Sequence, residues 1–171
     1  YLNVFKKFSY IFFCYSFHNN ININLYLVRI MSKNFDQISN KPGFMKHNGG
    51  IMFKAISETE YEFKSIINEN HLNNLGITHG GYICSLIDSG AGTAARRAAD
   101  NRACVTVSLE LKFISTTKKG DEVIGFAKIL KKTKTMVFLI CHLKSNEKIV
   151  ASASGVWKIL NINSSKSVQG G

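Results

Sequence analysis

Alternation between apolar and polar side chains dominates most of the chain and predicts a succession of β-strands. Short segments rich in Gly, Asn, Ser and Lys separate the alternating runs, as turns do. The predicted strands cover residues 51–55, 59–67, 103–114, 122–130, 136–141 and 149–160. In the clearest one, the predicted apolar face comprises Val105, Val107, Leu109, Leu111 and Phe113, and the polar face comprises Thr106, Ser108, Glu110 and Lys112.

One segment, residues 81–97, repeats with the helical period instead. Its broad apolar face comprises Tyr82, Ile83, Leu86, Ile87, Gly90, Ala91, Ala94 and Ala95. Gly90 and Gly92 would each weaken an exposed helix by about 1 kcal/mol relative to alanine. Because small residues let backbones approach closely, we expect a sheet to wrap this helix. A single carboxylate, Asp88, lies inside the apolar segment.

The order of the elements predicts an α+β fold class. Two strands form a hairpin, one long helix follows, and four strands complete the domain as an antiparallel meander. Residues 136–141 are apolar on both faces, as in a central strand. We therefore expect one curved antiparallel sheet wrapped around one central helix.

The chain of 171 residues is long enough for one domain with a sizeable core. We assign the domain to residues 49–160, a lead-in to residues 31–48 and a disordered tail to residues 161–171. Residues 1–30 hold no acidic residue and are interpreted as an extension outside the domain. They are either translated upstream sequence, with Met31 as the start, or a targeting segment.

The lead-in carries only weak local signals. Residues 34–38 are predicted as a short helix or turn, and Pro42 and Gly43 as a breaker. We expect Phe44 and Met45 to pack onto the edge of the domain. In later segments, His71 and His142 are interpreted as ordinary loop and strand residues.

The net charge of +11, from 22 basic and 11 acidic side chains, has two interpretations. It is either a solvated surface or an attraction for an anionic, nucleotide-bearing ligand. No nucleic-acid-binding motif accompanies it, so we expect no nucleic-acid partner. No stable membrane association is expected either, because the apolar run near the N-terminus is too short to span a bilayer.

The four cysteines, Cys14, Cys84, Cys104 and Cys141, form no CxxC pair and no Cys/His metal spacing. Cys84 and Cys141 are predicted as small core residues. We expect no metal and no cofactor. A reducing, cytoplasmic compartment fits best, with a mitochondrial location as the alternative if residues 1–30 are a targeting segment.

The most informative stretch begins at Asn73. A polar loop containing Gly76 ends in His79-Gly80-Gly81, the apolar helix begins, and Asp88 follows nine residues after the histidine. Together with the strand at 105–114 and the Lys-Lys-Gly-Asp turn after it, this pattern resembles the PaaI-type hot-dog acyl-CoA thioesterases. The resemblance covers about residues 49–160 and implies a hot-dog fold, whose sheet wraps a central helix.

Thioester hydrolysis passes through an oxyanion, and an N–H group at a helix N-terminus is a fixed partial positive charge. Gly80 lies where the helix starts and has no Cβ to obstruct a carbonyl, so we assign its N–H to the oxyanion hole. Asn73 is a candidate donor to the carbonyl or the water, or else a plain loop residue beside Asn74. Asp88 is the candidate base or nucleophile, or else a buried acid satisfied by the backbone.

The resemblance implies further roles. His79 would orient the loop and assist the leaving thiolate, unless it is only a structural turn residue. Thr106 takes the place of a hydroxyl that positions water in some relatives, although it also fits an ordinary strand threonine. The residues predicted to contact substrate are Gly81, Tyr82, Phe113, Lys118 and Lys119, with Arg96 as a further candidate for the CoA phosphates.

In the family that the chain resembles, the helix Asp faces the His-Gly loop of a second subunit. This implies an obligate homodimer or homotetramer with shared active sites, acting on acyl-CoA, as in fatty acid metabolism. A non-catalytic acyl-CoA-binding or regulatory hot-dog module is the alternative, but it would not need Asp88. A hot-dog dehydratase typically pairs a His with a helix Glu and a proline-rich loop, which this chain lacks.

Overall fold

The computed structural model describes residues 34–161. The predicted extension at residues 1–30 and almost all of the predicted tail therefore lie outside the described residues. The elements in chain order are β1 (Asp36–Ile38), α1 (Phe44–His47), β2 (Ile51–Ala55), β3 (Glu60–Ile66), a 3₁₀ turn (Glu69–His71), α2 (Gly80–Ala98), β4 (Cys104–Phe113), β5 (Glu122–Lys132), β6 (Met136–Ser145) and β7 (Lys148–Ile159).

The strands form one antiparallel sheet in the order β1-β2-β3-β5-β6-β7-β4. Helix α2 packs against its inner face, and the core lies between the two. All eight residues of the predicted apolar face of this helix are buried. The predicted α+β class and the central helix are confirmed. No helix in the described part of the chain is both long enough and apolar enough to cross a membrane.

The predicted meander of four strands is wrong at its first member. Strand β4 pairs with β7 at the far edge of the sheet, and β5 pairs with β3. The 19 residues of α2 carry the chain about 28 Å along the inner face. The chain can therefore enter the sheet beyond β7 instead of beside β3, and only β5, β6 and β7 form a meander.

The lead-in also differs from the prediction. Residues 36–38 form a strand instead of a helix or turn, because their backbone pairs with residues 51–53 of β2. Met45 packs against the core as expected, whereas Phe44 is 65% exposed and does not.

One aromatic ring fills the contact between helix and sheet. Phe63 on β3 is fully buried, with Gly90 of α2 and Gly125 of β5 against its ring. A Cβ atom on either glycine would overlap this ring. The small residues of α2 therefore serve close packing, as predicted.

Candidate active site

The N-terminus of α2 has one backbone donor to spare. The first four N–H groups of a helix, beginning with the N-cap residue, lack intrahelical acceptors. The N-cap His79 donates to the carbonyl of His71 at 2.7 Å, Gly81 donates to His79 Nδ1 at 2.9 Å, and Tyr82 donates to the His79 carbonyl at 3.0 Å. The Gly80 N–H donates to no acceptor within residues 34–161. It is therefore the group left for a ligand.

The two glycines allow close approaches at this helix end. A Cβ on Gly81 would lie 2.9 Å from His79 Nδ1, closer than real Cβ atoms come, so a larger residue here would displace the capping ring. A Cβ on Gly80 would lie 3.2 Å from Cζ of Phe113. Because His79 Nδ1 accepts a hydrogen bond, its neutral ring carries the proton on Nε2.

The loop before the helix folds on itself. The side-chain Oδ1 of Asn73 accepts from the Leu75 N–H at 2.9 Å, and the Asn73 N–H donates to the carbonyl of Ile77 at 2.8 Å. This turn uses the oxygen of the side chain. The Nδ2 group of Asn73 donates to no acceptor in the described residues and remains a candidate donor.

Asp88 lies two turns into α2 and is hydrogen-bonded to a residue of the sheet. The hydroxyl of Thr106 on β4 donates to its Oδ1 at 2.7 Å. Asp88 is partly exposed, and Thr106 is exposed at the sheet edge. The contact brings two of the predicted site residues together, and their roles stay predictions.

A β-bulge brings Thr106 to the helix side of the sheet. The pairing of β4 with β7 shifts between Thr106 and Ser108, so that Val107 is the extra residue. Side chains alternate along a strand, and one extra residue reverses which face they occupy. Thr106 therefore contacts α2 although the simple alternation placed it opposite Leu109, Leu111 and Phe113.

The spacing of the two candidate catalytic groups is too large for one chain. Asp88 follows Gly80 by eight residues, which is about 12 Å along a helix axis. A general base must lie about 3 Å, between heavy atoms, from the group whose proton it takes, or must reach that group through one water molecule. The Gly80 N–H and Asp88 of the same chain are therefore too far apart to act on one carbonyl.

The predicted substrate-binding residues fall into different places. Tyr82 is buried, and its hydroxyl lies 2.7 Å from Ser65 Oγ, so it is part of the core. Phe113 is 61% exposed and lies against Gly80.

The predicted cations also differ in position. Lys118 and Lys119 lie in the turn after β4, which Thr117 ties to the loop before α2 through hydrogen bonds with Thr78. The Lys119 ammonium pairs with Glu69. Arg96 lies at the opposite end of α2, bonded to the carbonyl of Asn101, and is therefore remote from the Gly80 of its own chain.

Residue His71 was interpreted as an ordinary loop residue, and this is wrong. It is 1% exposed and contacts the first turn of α2. The polar run that contains it hides this burial. The available signal is the spacing from Asn68 to His71, which forms a capping box around the short 3₁₀ turn. Within residues 34–161, no group of three His, Cys, Asp or Glu side chains could hold a metal ion.

Known proteins with similar sequences share this part of the chain. The family model described as "Thioesterase superfamily" matches residues 75–151. Acyl-coenzyme A thioesterase 13 of Mus musculus is 33% identical over 112 residues, which are 64% of this chain and 80% of the mouse protein. A Pseudomonas aeruginosa protein, provisionally named an esterase, is 36% identical over 94 residues, which are 54% of this chain and 70% of that protein.

Solved structures agree on the fold. Zebra fish thioesterase superfamily member 2 has a TM-score of 0.65 at 21% identity, covering 71% of this chain and 90% of that one. A variant of the phenylacetic acid degradation protein PaaI from Thermus thermophilus has a TM-score of 0.61 at 20% identity, covering 67% and 96%. The architecture is thus the predicted hot-dog fold of the PaaI type. The chain belongs to the thioesterase superfamily and is a thioester hydrolase.

Proposed function

We propose that this chain is an acyl-CoA thioesterase, which hydrolyses a CoA thioester to a free acid and CoA. The observation that carries the proposal is that α2 presents both an N–H without an acceptor, at Gly80, and a carboxylate held by Thr106, at Asp88. Two findings support CoA as the leaving group. The mouse and human relatives are named acyl-coenzyme A thioesterase 13, and smu.793 from Streptococcus mutans, which shares the fold, was solved bound to acetyl CoA.

Each active site is built from two chains in this proposal. The separation of about 12 Å between Gly80 and Asp88 prevents one chain from supplying both groups to one carbonyl. Strand β4 lies at the sheet edge, and Val105 and Val107 on it are 44% and 57% exposed. Edge-to-edge pairing of β4 with a second copy would cover them and bring Asp88 towards the other chain's Gly80. The oligomer is a homodimer or a homotetramer of such dimers.

The chemistry follows from these positions. Asp88 accepts a proton from a water molecule, whose oxygen attacks the thioester carbonyl carbon. The negative charge that forms on the carbonyl oxygen is stabilised by the Gly80 N–H, with Asn73 Nδ2 as a second donor. When the C–S bond breaks, the leaving thiolate takes up the proton from Asp88. His79 holds the loop in place through its cap on Gly81.

The remaining predicted contacts suit the ends of the substrate. Phe113 lies over Gly80 and would contact the part of the acyl group nearest the carbonyl. The Lys118 ammonium makes no ion pair in the described residues, so it is a candidate for a CoA phosphate. Lys119 would first have to leave Glu69, and Arg96 would serve only a site formed with another chain.

Release of free thiol from a series of short, long and aromatic acyl-CoAs tests the proposal. Gly80→Pro removes the N–H at the first helical position, where proline is well tolerated, and we expect kcat to fall about 100- to 1,000-fold. Gly80→Ala is the matched control, because it adds a Cβ near Phe113 but keeps the N–H. Equal losses in the two variants would show that the amide has no role in catalysis.

Mixing variants tests the shared site. Asp88→Asn and Gly80→Pro chains are each expected to be inactive alone. After unfolding and refolding together, the mixed dimers contain one intact site, and about a quarter of the wild-type rate should return in a random C₂ mixture. A mixture that stays inactive while mixed dimers are detected would contradict a site shared between chains.

A further inference from the structure

We infer that His71 is a positioning residue for the reaction: it fixes the first turn of α2 from both sides of Gly80 and so holds the oxyanion-binding N–H in place. The inference rests on the proposed function. His71 touches no substrate in this account and acts only through the backbone of the helix end.

The ring of His71 is itself held in one orientation. It is buried, and its Nδ1 accepts from the Asn68 N–H at 3.1 Å. Its Nε2 lies 3.0 Å from the carbonyl of Asn48, and because a carbonyl can only accept, Nε2 must donate. These two partners select the neutral Nε2–H tautomer. Burial lowers the pKa of His71, which favours the same neutral form.

Two contacts connect this fixed residue to the helix end. The carbonyl of His71 accepts from the N–H of His79 at 2.7 Å, directly before Gly80. Its ring stacks on that of Tyr82, two residues after Gly80, with the ring centres 3.6 Å apart and the planes at 9°.

The sheet completes the arrangement. Tyr82 is anchored in turn by its hydroxyl, 2.7 Å from Ser65 Oγ on β3. The backbone of Gly80 is therefore clamped between a hydrogen bond at position 79 and a ring stack at position 82. Without His71, this turn would keep its hydrogen bonds from Tyr82 and Ile83 to His79, the His79 cap and the bonds between Thr78 and Thr117, but it would lose its contact with the buried ring.

His71→Phe tests the inference because it keeps a ring against Tyr82 but loses both ring hydrogen bonds. We expect kcat for acyl-CoA hydrolysis to fall about 10- to 100-fold, since a small displacement of a catalytic group has such effects. KM should stay within about twofold, because binding contacts elsewhere are unchanged. Amide hydrogen exchange at His79 and Gly81 should become faster in the same variant.

Ile67→Val is the matched control. Ile67 is buried close to His71 in sequence, and its change to valine removes one methyl group but no hydrogen bond of the first turn of α2. It should lower the midpoint of thermal unfolding without changing kcat or the exchange at His79. A loss of kcat in Ile67→Val as large as in His71→Phe would overturn the inference, since it would show a general effect of stability.

A second variant covers the case in which His71→Phe does not fold. Tyr82→Leu removes the ring stack while leaving the hydrogen bonds of His71, and we again expect a lower kcat with KM nearly constant. A wild-type kcat in Tyr82→Leu, or in folded His71→Phe, would refute the clamp. If the wild-type protein hydrolyses no acyl-CoA, the proposed function fails, and the exchange rates at His79 and Gly81 still decide whether His71 fixes this turn.

Discussion

The hydroxyl of Thr106 donates to Oδ1 of Asp88 at 2.7 Å and joins the edge strand β4 to the middle of α2. Thr106 thus occupies one oxygen of the carboxylate and leaves Oδ2 without a hydrogen bond in the described residues. A carboxylate held in this way presents one fixed face to a water molecule. The contact exists only because the bulge at Val107 turns Thr106 towards the helix.

Loss of the Thr106 hydroxyl should slow hydrolysis but not abolish it. We expect Thr106→Val, which has the same shape, to lower kcat about 10-fold because Asp88 loses its orientation. Thr106→Ser keeps the donor and should stay within about threefold of wild type. Thiol-release kinetics measure kcat for both variants. Equal rates for Thr106→Val and the wild type would show that Thr106 has no role in the site.

Removal of the carboxylate should have a larger effect. Asp88→Asn keeps the size of the side chain but cannot accept a proton from water, so we expect kcat to fall about 100- to 10,000-fold. The thermal midpoint should change little, because Asp88 is only partly buried and the asparagine oxygen can still accept from Thr106. A variant with the wild-type turnover rate would exclude Asp88 as the base.

A charge on the edge strand should weaken self-association. Val107 is 57% exposed, so Val107→Lys should change the stability of the single chain by no more than about 0.5 kcal/mol. In a dimer formed through β4 it would place like charges together, and activity should be lost in step with the dimer. Light scattering after size exclusion measures the mass. Leu130→Lys, at an exposed position on β5, is the control and should affect activity less.

The stability of the domain should fall in mild acid. The folded-state pKa of His71 lies below its ordinary value of about 6.5, so the unfolded chain binds the proton more readily. The stability that the neutral, buried His71 contributes to the fold is fully present above pH 6.5 and is lost as the pH falls below that value. The groups against the ring are the Asn48 carbonyl, the Asn68 N–H and the Tyr82 ring, none of which is charged at this pH.

Thermal midpoints at several pH values check this prediction. The wild-type midpoint should decrease between about pH 7 and pH 5.5, and the decrease should be smaller in His71→Phe, whose side chain does not titrate. Equal slopes in the two proteins would mean that other groups cause the effect.

Thiol reactivity should separate the cysteines. Burial raises the pKa of Cys141 to about 12, so almost no thiolate is present at neutral pH and reagents cannot reach it. We expect iodoacetamide to spare Cys141 in the folded protein and to label it once denaturant is added. Peptide mapping by mass spectrometry gives the result. Labelling of Cys141 at the rate of the partly exposed Cys84 would show that the core opens readily.

The helix was predictable because its signals are local. The period of its apolar residues, the run of small side chains and the turn at His79-Gly80-Gly81 all lie within a short segment, and the structure begins and ends α2 within one residue of the prediction. Alternation likewise predicted several of the strands, whereas β1 was missed and β6 was assigned as an apolar run. Thr106 entered the candidate site through the family resemblance, but nothing in the sequence predicted its hydrogen bond to Asp88.

What depends on distant partners was not predictable in the same way. The position of β4 beside β7 and the bulge at Val107 depend on backbone pairing, which leaves no periodic trace in the sequence. The burial of His71 depends on Asn48 and Tyr82, which come from two other segments. A polar run of residues therefore looked like an exposed loop.

The ring of Phe63 sets the distance between the central helix and the sheet. Phe63 fills the gap between Gly90 and Gly125, so the three positions behave as a single unit of volume. A larger residue at either glycine would require a smaller one at position 63, and we expect these positions to vary together among relatives. Since Asp88 lies two residues before Gly90, any change in this unit would raise or lower the carboxylate relative to Thr106. The position of the Asp88 carboxylate would thus depend on buried residues of β3 and β5, which lie away from β4 in the sheet.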